Sequence, residues 1–278
     1  MINSLEYFAS LVQQDDCLPL FEAALAIAQD ADPLLDLTAP QAEMDTLAAK
    51  LLRRLPMDAS HVQKLRMLNH LFYRELGFGG NVNDFYSPEN SYLQCVIARR
   101  RGIPISLAVI YMELAQQIGL DVRGVSFPGH FLMKLSLQSG DVILDPLDGG
   151  SLSREELEAR LEPYLTQRGY PADIPLGGFL QVADSREILV RMLHNLKALF
   201  LESQEWSRLL GVQQRLVILL PGVIVERRDR GLAYANLADP AAALEDLEAY
   251  LSECPDSSDA ELLRGRLPEL REAGKGMH

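Results

Sequence analysis

Cysteine is scarce in this 278-residue sequence: Cys17, Cys95 and Cys254 stand far apart, and no two form a CxxC pair. An odd, scattered set argues against a disulfide framework and against a zinc site, so each thiol is expected to be a small buried hydrophobe. Positive charge is also short, with 26 Lys and Arg against 39 Asp and Glu and a formal net charge of −13. That balance opposes binding to nucleic acid or to an anionic membrane, because phosphate recognition needs concentrated basic side chains. No apolar run approaches the roughly 18 residues of a membrane span. The opening "MINSLEYFASLVQQDD" lacks both a basic n-region and a continuous apolar h-region, so no signal peptide is expected and the protein is expected in the cytoplasm. Tryptophan occurs once, at Trp206, and is expected to pack between helices.

What is present is an ordinary globular composition, 48% hydrophobic and 23% charged. The first 76 residues read as helices. Asn3 and Glu6 form a capping-box signature. Residues 40–55 put Met44, Leu47, Ala48, Leu51, Leu52 and Leu55 on one face, with Pro40 at the first helical position. A second helix over about 58–76 carries Val62, Leu65, Leu68, Phe72 and Leu76 in the same way. The Gly- and Asn-rich stretch 77–92 is a loop, and a short helix from about Asn90 to Arg100 follows. "RRRGIPISLAVIYMELAQQIG" then predicts a buried helix over 104–118, opened by Pro104 and closed by Gly119. After it the period changes to strands over 122–127, 130–135 and 142–146, with "SGD" as a turn. A central helix followed by a small antiparallel sheet is an α+β core.

Beyond the connecting segment "PADIPLGGF" the chain is helical from about Ser185 onward. Pro221 and Pro255 are 34 residues apart, as are Phe200 and Tyr234. Gly231, Tyr234, Ala243 and Leu247 fall where a tetratricopeptide unit wants a glycine, an aromatic, a small residue and a bulky apolar one. Two such helix pairs are expected. Their charges, basic "ERRDRG" beside acidic "LEDLEAYLSE", outline a possible peptide groove, with simple packing on the core as the alternative.

His130 and Asp145 are the chemical candidates. An even-length turn between their strands would project both to one face, and a His held by an Asp is the base-and-orienter half of a triad. A third member would come from a neighbouring helix start, where the dipole stabilises a thiolate. The alternatives stay open: a structural histidine after a Pro-Gly turn, and an Asp-Pro turn at Asp145. His61, His70 and His194 have no metal-ligand spacing, and neither metal nor cofactor is expected.

The strings "NSYLQCVIARRRGIPISLAVIYMELAQQIGL", "FPGHF", "LDPLDGG", "RMLHNLKALF", "RDRGLAY" and "ALEDLEAYL" resemble the bacterial SirB-type family, over roughly residues 60–265. The resemblance implies a transglutaminase-like domain with a papain-like core, followed by tetratricopeptide-like helices. The expected organisation is therefore an N-terminal helical region over 1–76 packing on the core, a transglutaminase-like core over 77–175, and a helical repeat module over 185–278. By order and spacing His130 and Asp145 match the superfamily's second and third catalytic members. The cysteine has no counterpart: its position falls near Pro104, with Ser106 the nearest hydroxyl and Cys95 nine residues upstream. Asn90 and Ser91 match a family string, and Arg101 closes a basic tripeptide that either reads an anion at the helix start or sits on a solvated helix end. The resemblance implies a non-catalytic regulatory or scaffold protein that binds a peptide or protein. The alternatives are a hydrolase or acyl transferase using His130, Asp145 and either Ser106 or Cys95, and a sealed cleft with binding carried by the repeats alone.

Overall fold

The computed structural model describes residues 3–275 except 33, 82, 83, 85, 172 and 173, so parts of the 77–92 loop and of the 171–179 connection lie outside the described residues. The N-terminal region holds α1 (Ser4–Leu11), α2 (Leu20–Ala26), α3 (Thr38–Arg54) and α4 (His61–Asn69), the last running into a π-helical segment, His70–Glu75. The core follows as β1 (Gly79–Gly80), α5 (Leu93–Arg99), β2 (Arg101–Gly102), α6 (Pro104–Gln117), β3 (Val122–Val125), β4 (Leu132–Leu137), β5 (Gly140–Leu144) and α7 (Arg154–Arg168). The C-terminal helices are α8 (Ser185–Glu202), α9 (Trp206–Leu219), α10 (Ile224–Asn236), α11 (Pro240–Glu253) and α12 (Ala260–Lys275).

Local chemistry accounts for many of these boundaries. The Asn3–Glu6 capping box opens α1, and Ser60 with Gln63 opens α4. Pro104 begins α6 and Gly119 takes the left-handed conformation just past its end, φ +67°. The 40–55 helix starts two residues early, at Thr38. The helix expected from Asn90 starts at Leu93 instead, because Pro88–Asn90 form a separate 3-10 turn.

The three-stranded sheet has order β3-β4-β5, antiparallel throughout, while β1 and β2 form a two-residue parallel pair. Its two faces are buried differently. Val122, Met133, Leu135 and Leu144 join α6 in one apolar cluster that runs from Phe8 in α1 through α8 and α9 to Ala233. Val125, Leu132 and Ile143, pointing the other way, join Leu157, Leu161 and Leu165 of α7. Helix α6 is thus sandwiched at the centre, which is why Leu107, Ala108, Ile110, Tyr111, Leu114 and Ala115 are all solvent-free.

Helices α10 to α12 share a further cluster around Leu247, Tyr250 and Leu263. At the α10–α11 crossing a Cβ on Gly231 would lie 3.0 Å from Leu247 Cγ, so the tetratricopeptide-like glycine permits close approach of the two helices. Trp206 is half-buried against the main cluster. The cysteine expectation needs correcting: Cys17 is exposed, because it lies in a 3-10 turn outside the core, and Cys95 and Cys254 are only partly buried.

Candidate functional site

The strand register places His130 and Asp145 relative to each other. Leu137 pairs with Gly140 across a two-residue turn, and Met133 pairs with Leu144, so the register carried one step on sets Asp145 opposite Leu132. His130 lies two residues further along, in the bend that precedes β4 rather than in the strand as expected. Asp145 therefore belongs to the side of the sheet that carries Leu132 and Ile143, and His130, just outside the strand, comes near the same side through the turn that carries it. The His130 ring lies 6.4 Å from the Phe127 ring, which belongs to the α7-side cluster.

That side is covered by α7, whereas α6 packs on the other. Arg160 of α7 donates from Nη2 to Asp145 Oδ2 at 2.8 Å, and the Leu147 N–H donates to Asp145 Oδ1 at 2.9 Å. Both carboxylate oxygens are thereby engaged, one of them in the Asp-Pro turn. Among the described residues the His130 side chain has no hydrogen-bond partner, Asp145 included. Burial lowers the His130 pKa from its ordinary value, Arg160 lowers it further, Asp145 opposes and Arg191 adds to the depression. The product is a neutral, partly exposed imidazole with no orienting carboxylate.

The turn carrying His130 is held from its backbone. Arg191 of α8 donates to the His130 carbonyl at 2.6 Å and to the Phe127 carbonyl at 3.2 Å, and lies over the Phe131 ring at 5.6 Å. The 145–150 loop is held from the opposite direction. Tyr73 donates to the Pro146 carbonyl at 3.0 Å, Asn69 to the Gly149 carbonyl at 3.0 Å, and Tyr111 of α6 to Asn69 Oδ1 at 2.7 Å. Gly149 has φ +72° and a Cβ there would meet the Tyr73 ring at 2.4 Å, so glycine is required by both backbone and space.

The start of α6 contributes no nucleophile to this pair. Ser106 is 0% exposed; its hydroxyl donates to the Asn90 carbonyl at 2.6 Å and accepts from the Ile103 N–H at 3.1 Å. It is a brace between the 3-10 turn and the helix start. Asn90, 2% exposed, donates to the Asp84 carbonyl and accepts from Asn81, tying the 77–92 loop together, and Ser91 is buried beside it. Pro104 supplies the first helical residue, where its missing N–H costs nothing. Cys95, in α5, has its thiol pKa raised by burial, with Arg99 pulling it down and Glu89 pushing it up.

The basic tripeptide has local partners. Arg100 ends α5 in the left-handed conformation, pairs with Glu43 at 2.6 Å and lies 4.7 Å over the Phe78 ring. Arg101 is exposed and donates to the Gly77 and Arg100 carbonyls. The charges of "ERRDRG" also have local partners. Arg227 and Arg230 both bind Asp246 of α11, which is 1% exposed, and Arg228 bridges Asp229 and Asp259. Glu226 accepts from Lys197 at 2.6 Å and from His194 at 3.0 Å.

Two residues that matter here, Arg160 and Arg191, were not singled out from the sequence. Signals for both helices were present: Ser153 and Glu156 form a capping box that opens α7, and Asp184 and Glu187 form one that opens α8, where Arg191 heads the string "RMLHNLKALF". Among the described residues there is no group of three or more His, Cys, Asp or Glu side chains able to hold a metal, and no helix long and apolar enough to cross a membrane.

Residues 38–194 match the transglutaminase-like superfamily and residues 196–268 match a tetratricopeptide repeat family. A UPF0162 protein of Xylella fastidiosa strain Temecula1 is 39% identical over 92% of this chain and 91% of its own length. A UPF0162 protein of Vibrio cholerae is 29% identical over 92% and 93%, and Protein SirB1 of Salmonella typhimurium is 26% identical over 81% and 82%. No solved structure matches the chain. The chain belongs to the transglutaminase-like superfamily, joins that domain to tetratricopeptide-like helices, and is similar over most of its length to UPF0162 proteins and SirB1.

Proposed function

We propose that this chain is a non-catalytic transglutaminase-like protein of the bacterial cytoplasm, acting as a regulatory or scaffold protein that binds a peptide or protein partner. The observation that carries the reading is the engagement of Asp145 by Arg160 and by the Leu147 N–H, which leaves His130 without an orienter. A general base needs a nucleophile within hydrogen-bond reach and a partner that fixes its tautomer. By the family resemblance the cysteine position falls near Pro104, the Ser106 hydroxyl is buried in structural bonds, and burial disfavours a Cys95 thiolate. Tetratricopeptide-like helices after the core favour an interaction role.

The test is an assay of the purified full chain against acyl-peptide hydrolysis and glutamine–lysine cross-linking substrates. Rates equal to buffer, unchanged by His130→Ala, are expected. Turnover abolished by His130→Ala would establish an enzyme and end the proposal.

A further inference from the structure

Positive charge is not spread evenly along this acidic chain. Residues 50–101 hold nine of the 26 Lys and Arg and only four Asp and Glu, a net charge of +5 beside −18 for the rest. The fold gathers these cations on one face. Glu75, at the end of the π-helical segment, pairs with Lys50 at 3.4 Å, with Arg54 and with the His70 ring at 3.2 Å, so the last turns of α3 meet the end of the α4 unit. Two residues on, the Gly77 carbonyl accepts from Arg101. One carboxylate is thus shared among three basic side chains, and a carbonyl satisfies Arg101 without cancelling its charge. Arg53 stands one turn from Lys50 on α3, Arg66 one turn before His70 on α4, and Arg74 four residues after it. All three are exposed and, among the described residues, their side chains have no ion pair or hydrogen bond.

Exposed apolar side chains lie beside these cations. Leu52, 52% exposed, precedes Arg53, and Met57 is fully exposed in the α3–α4 connection. Helix α4 turns Leu68 into the core, which leaves Val62, 41% exposed, and Arg66 as neighbours one turn apart on its outer side. Cations interleaved with apolar side chains complement an acidic, amphipathic segment. A nucleic acid or an anionic bilayer extends beyond this face and meets the negative remainder of the surface, whereas a short segment spans the basic face alone. The apolar side chains are also aliphatic or thioether, without the rings on which bases stack. We infer that the basic face formed by the end of α3, by α4 and by its π-helical extension docks a short acidic, amphipathic segment of a partner protein. The inference rests on the reading of the chain as a peptide- or protein-binding protein and names where and what it binds.

The experiment titrates the full chain with a short fluorescent glutamate–leucine peptide, its lysine–leucine and glutamate–serine counterparts, a labelled oligonucleotide, and phosphatidylglycerol vesicles. Hydrogen exchange then maps the site. The glutamate–leucine peptide is expected to bind tighter than every other probe, with exchange slowed across residues 50–74. Arg53→Glu with Arg66→Glu should weaken it about tenfold, an effect that added salt reduces, while Arg154→Glu on the exposed side of α7 should change nothing. Neither Arg53 nor Arg66 has a native contact to lose, so the double variant should unfold in urea as the parent does. Leu52→Ser with Met57→Ser should weaken binding about fivefold. Glu75→Gln, which frees Lys50 and Arg54 for the peptide, should tighten it about threefold. No binding at low salt, equal binding of the lysine or serine peptide, full affinity in the double arginine variant, or preference for the oligonucleotide or the vesicles would overturn the inference. Protection confined to α8–α12 would overturn this face while leaving a peptide-binding protein, and His130-dependent cleavage of the peptide would overturn the parent reading instead.

Discussion

Arg215 of α9 is 0% exposed and pairs with Asp30, whose side chain is 21% exposed, joining the N-terminal helices to the first repeat pair. The guanidinium also donates to the Ala26 and Gly211 carbonyls at 3.3 Å and lies 5.3 Å over the Phe8 ring. Burial raises the Asp30 pKa while Arg215 pulls it back, so attraction and desolvation oppose each other in the intact pair. Asp30→Ala removes the attraction and leaves the buried cation uncompensated, a change that costs about 3–5 kcal/mol in comparable pairs. Since Asp30 keeps some contact with water, the lower end, about 3 kcal/mol, is expected. Against the ~5–15 kcal/mol total of an ordinary domain, that is a large loss. Replacing both partners, Asp30→Leu with Arg215→Met, should stay within about 1 kcal/mol of the parent, because it removes the desolvation penalty with the charge. Urea unfolding followed by circular dichroism and by Trp206 fluorescence reads both effects, the tryptophan standing at the first residue of α9. A loss below about 1 kcal/mol for Asp30→Ala would refute the reasoning, since the arginine would then have found water or another partner.

Ser106→Ala should destabilise the protein by about 1 kcal/mol in urea unfolding, because it removes one of the two donors to the Asn90 carbonyl, the Ile103 N–H remaining; a neutral effect would deny the bracing role. The His130 imidazole should titrate below its ordinary value by NMR, with Arg160→Gln raising the midpoint and Asp145→Asn lowering it. A midpoint above the ordinary value would instead indicate a bonded His–Asp pair. Burial pushes the Glu226 pKa up, but hydrogen bonds from His194 and Lys197 outweigh it and hold the carboxylate down at about 2. Its contribution to stability is therefore complete above the unfolded value of 4.5 and is lost as pH falls from there toward 2. Glu226→Gln should flatten that part of the acid unfolding curve, and an unchanged curve would exclude the mechanism.

Local interactions made much of the fold legible. The Asn3–Glu6 box, Pro104, Gly119 and the 3.6-residue stripe of α6 act within a turn or two of the chain, so their effects can be read residue by residue. The 34-residue spacing of Pro221 and Pro255, with Gly231 and Leu247 inside the repeat, could be read for a related reason: each repeat packs mainly on its neighbour. Strand positions were less accurate. His130 falls in a bend because the Pro128-Gly129 turn closes through the His130 N–H to the Phe127 carbonyl, delaying β4 to Leu132.

The candidate site divides along the same line. Sequence parity made a shared side for His130 and Asp145 conditional on an even-length turn, and the two-residue turn between Leu137 and Gly140 meets that condition. Whether they bond each other was decided by the tertiary structure. Arg160 arrives from α7 and Arg191 from α8, each carried there by a helix whose docking depends on apolar burial elsewhere. The same holds for the "ERRDRG" cations. A sequence shows that charges and backbone donors exist, but which of them find partners depends on contacts between segments far apart in the chain.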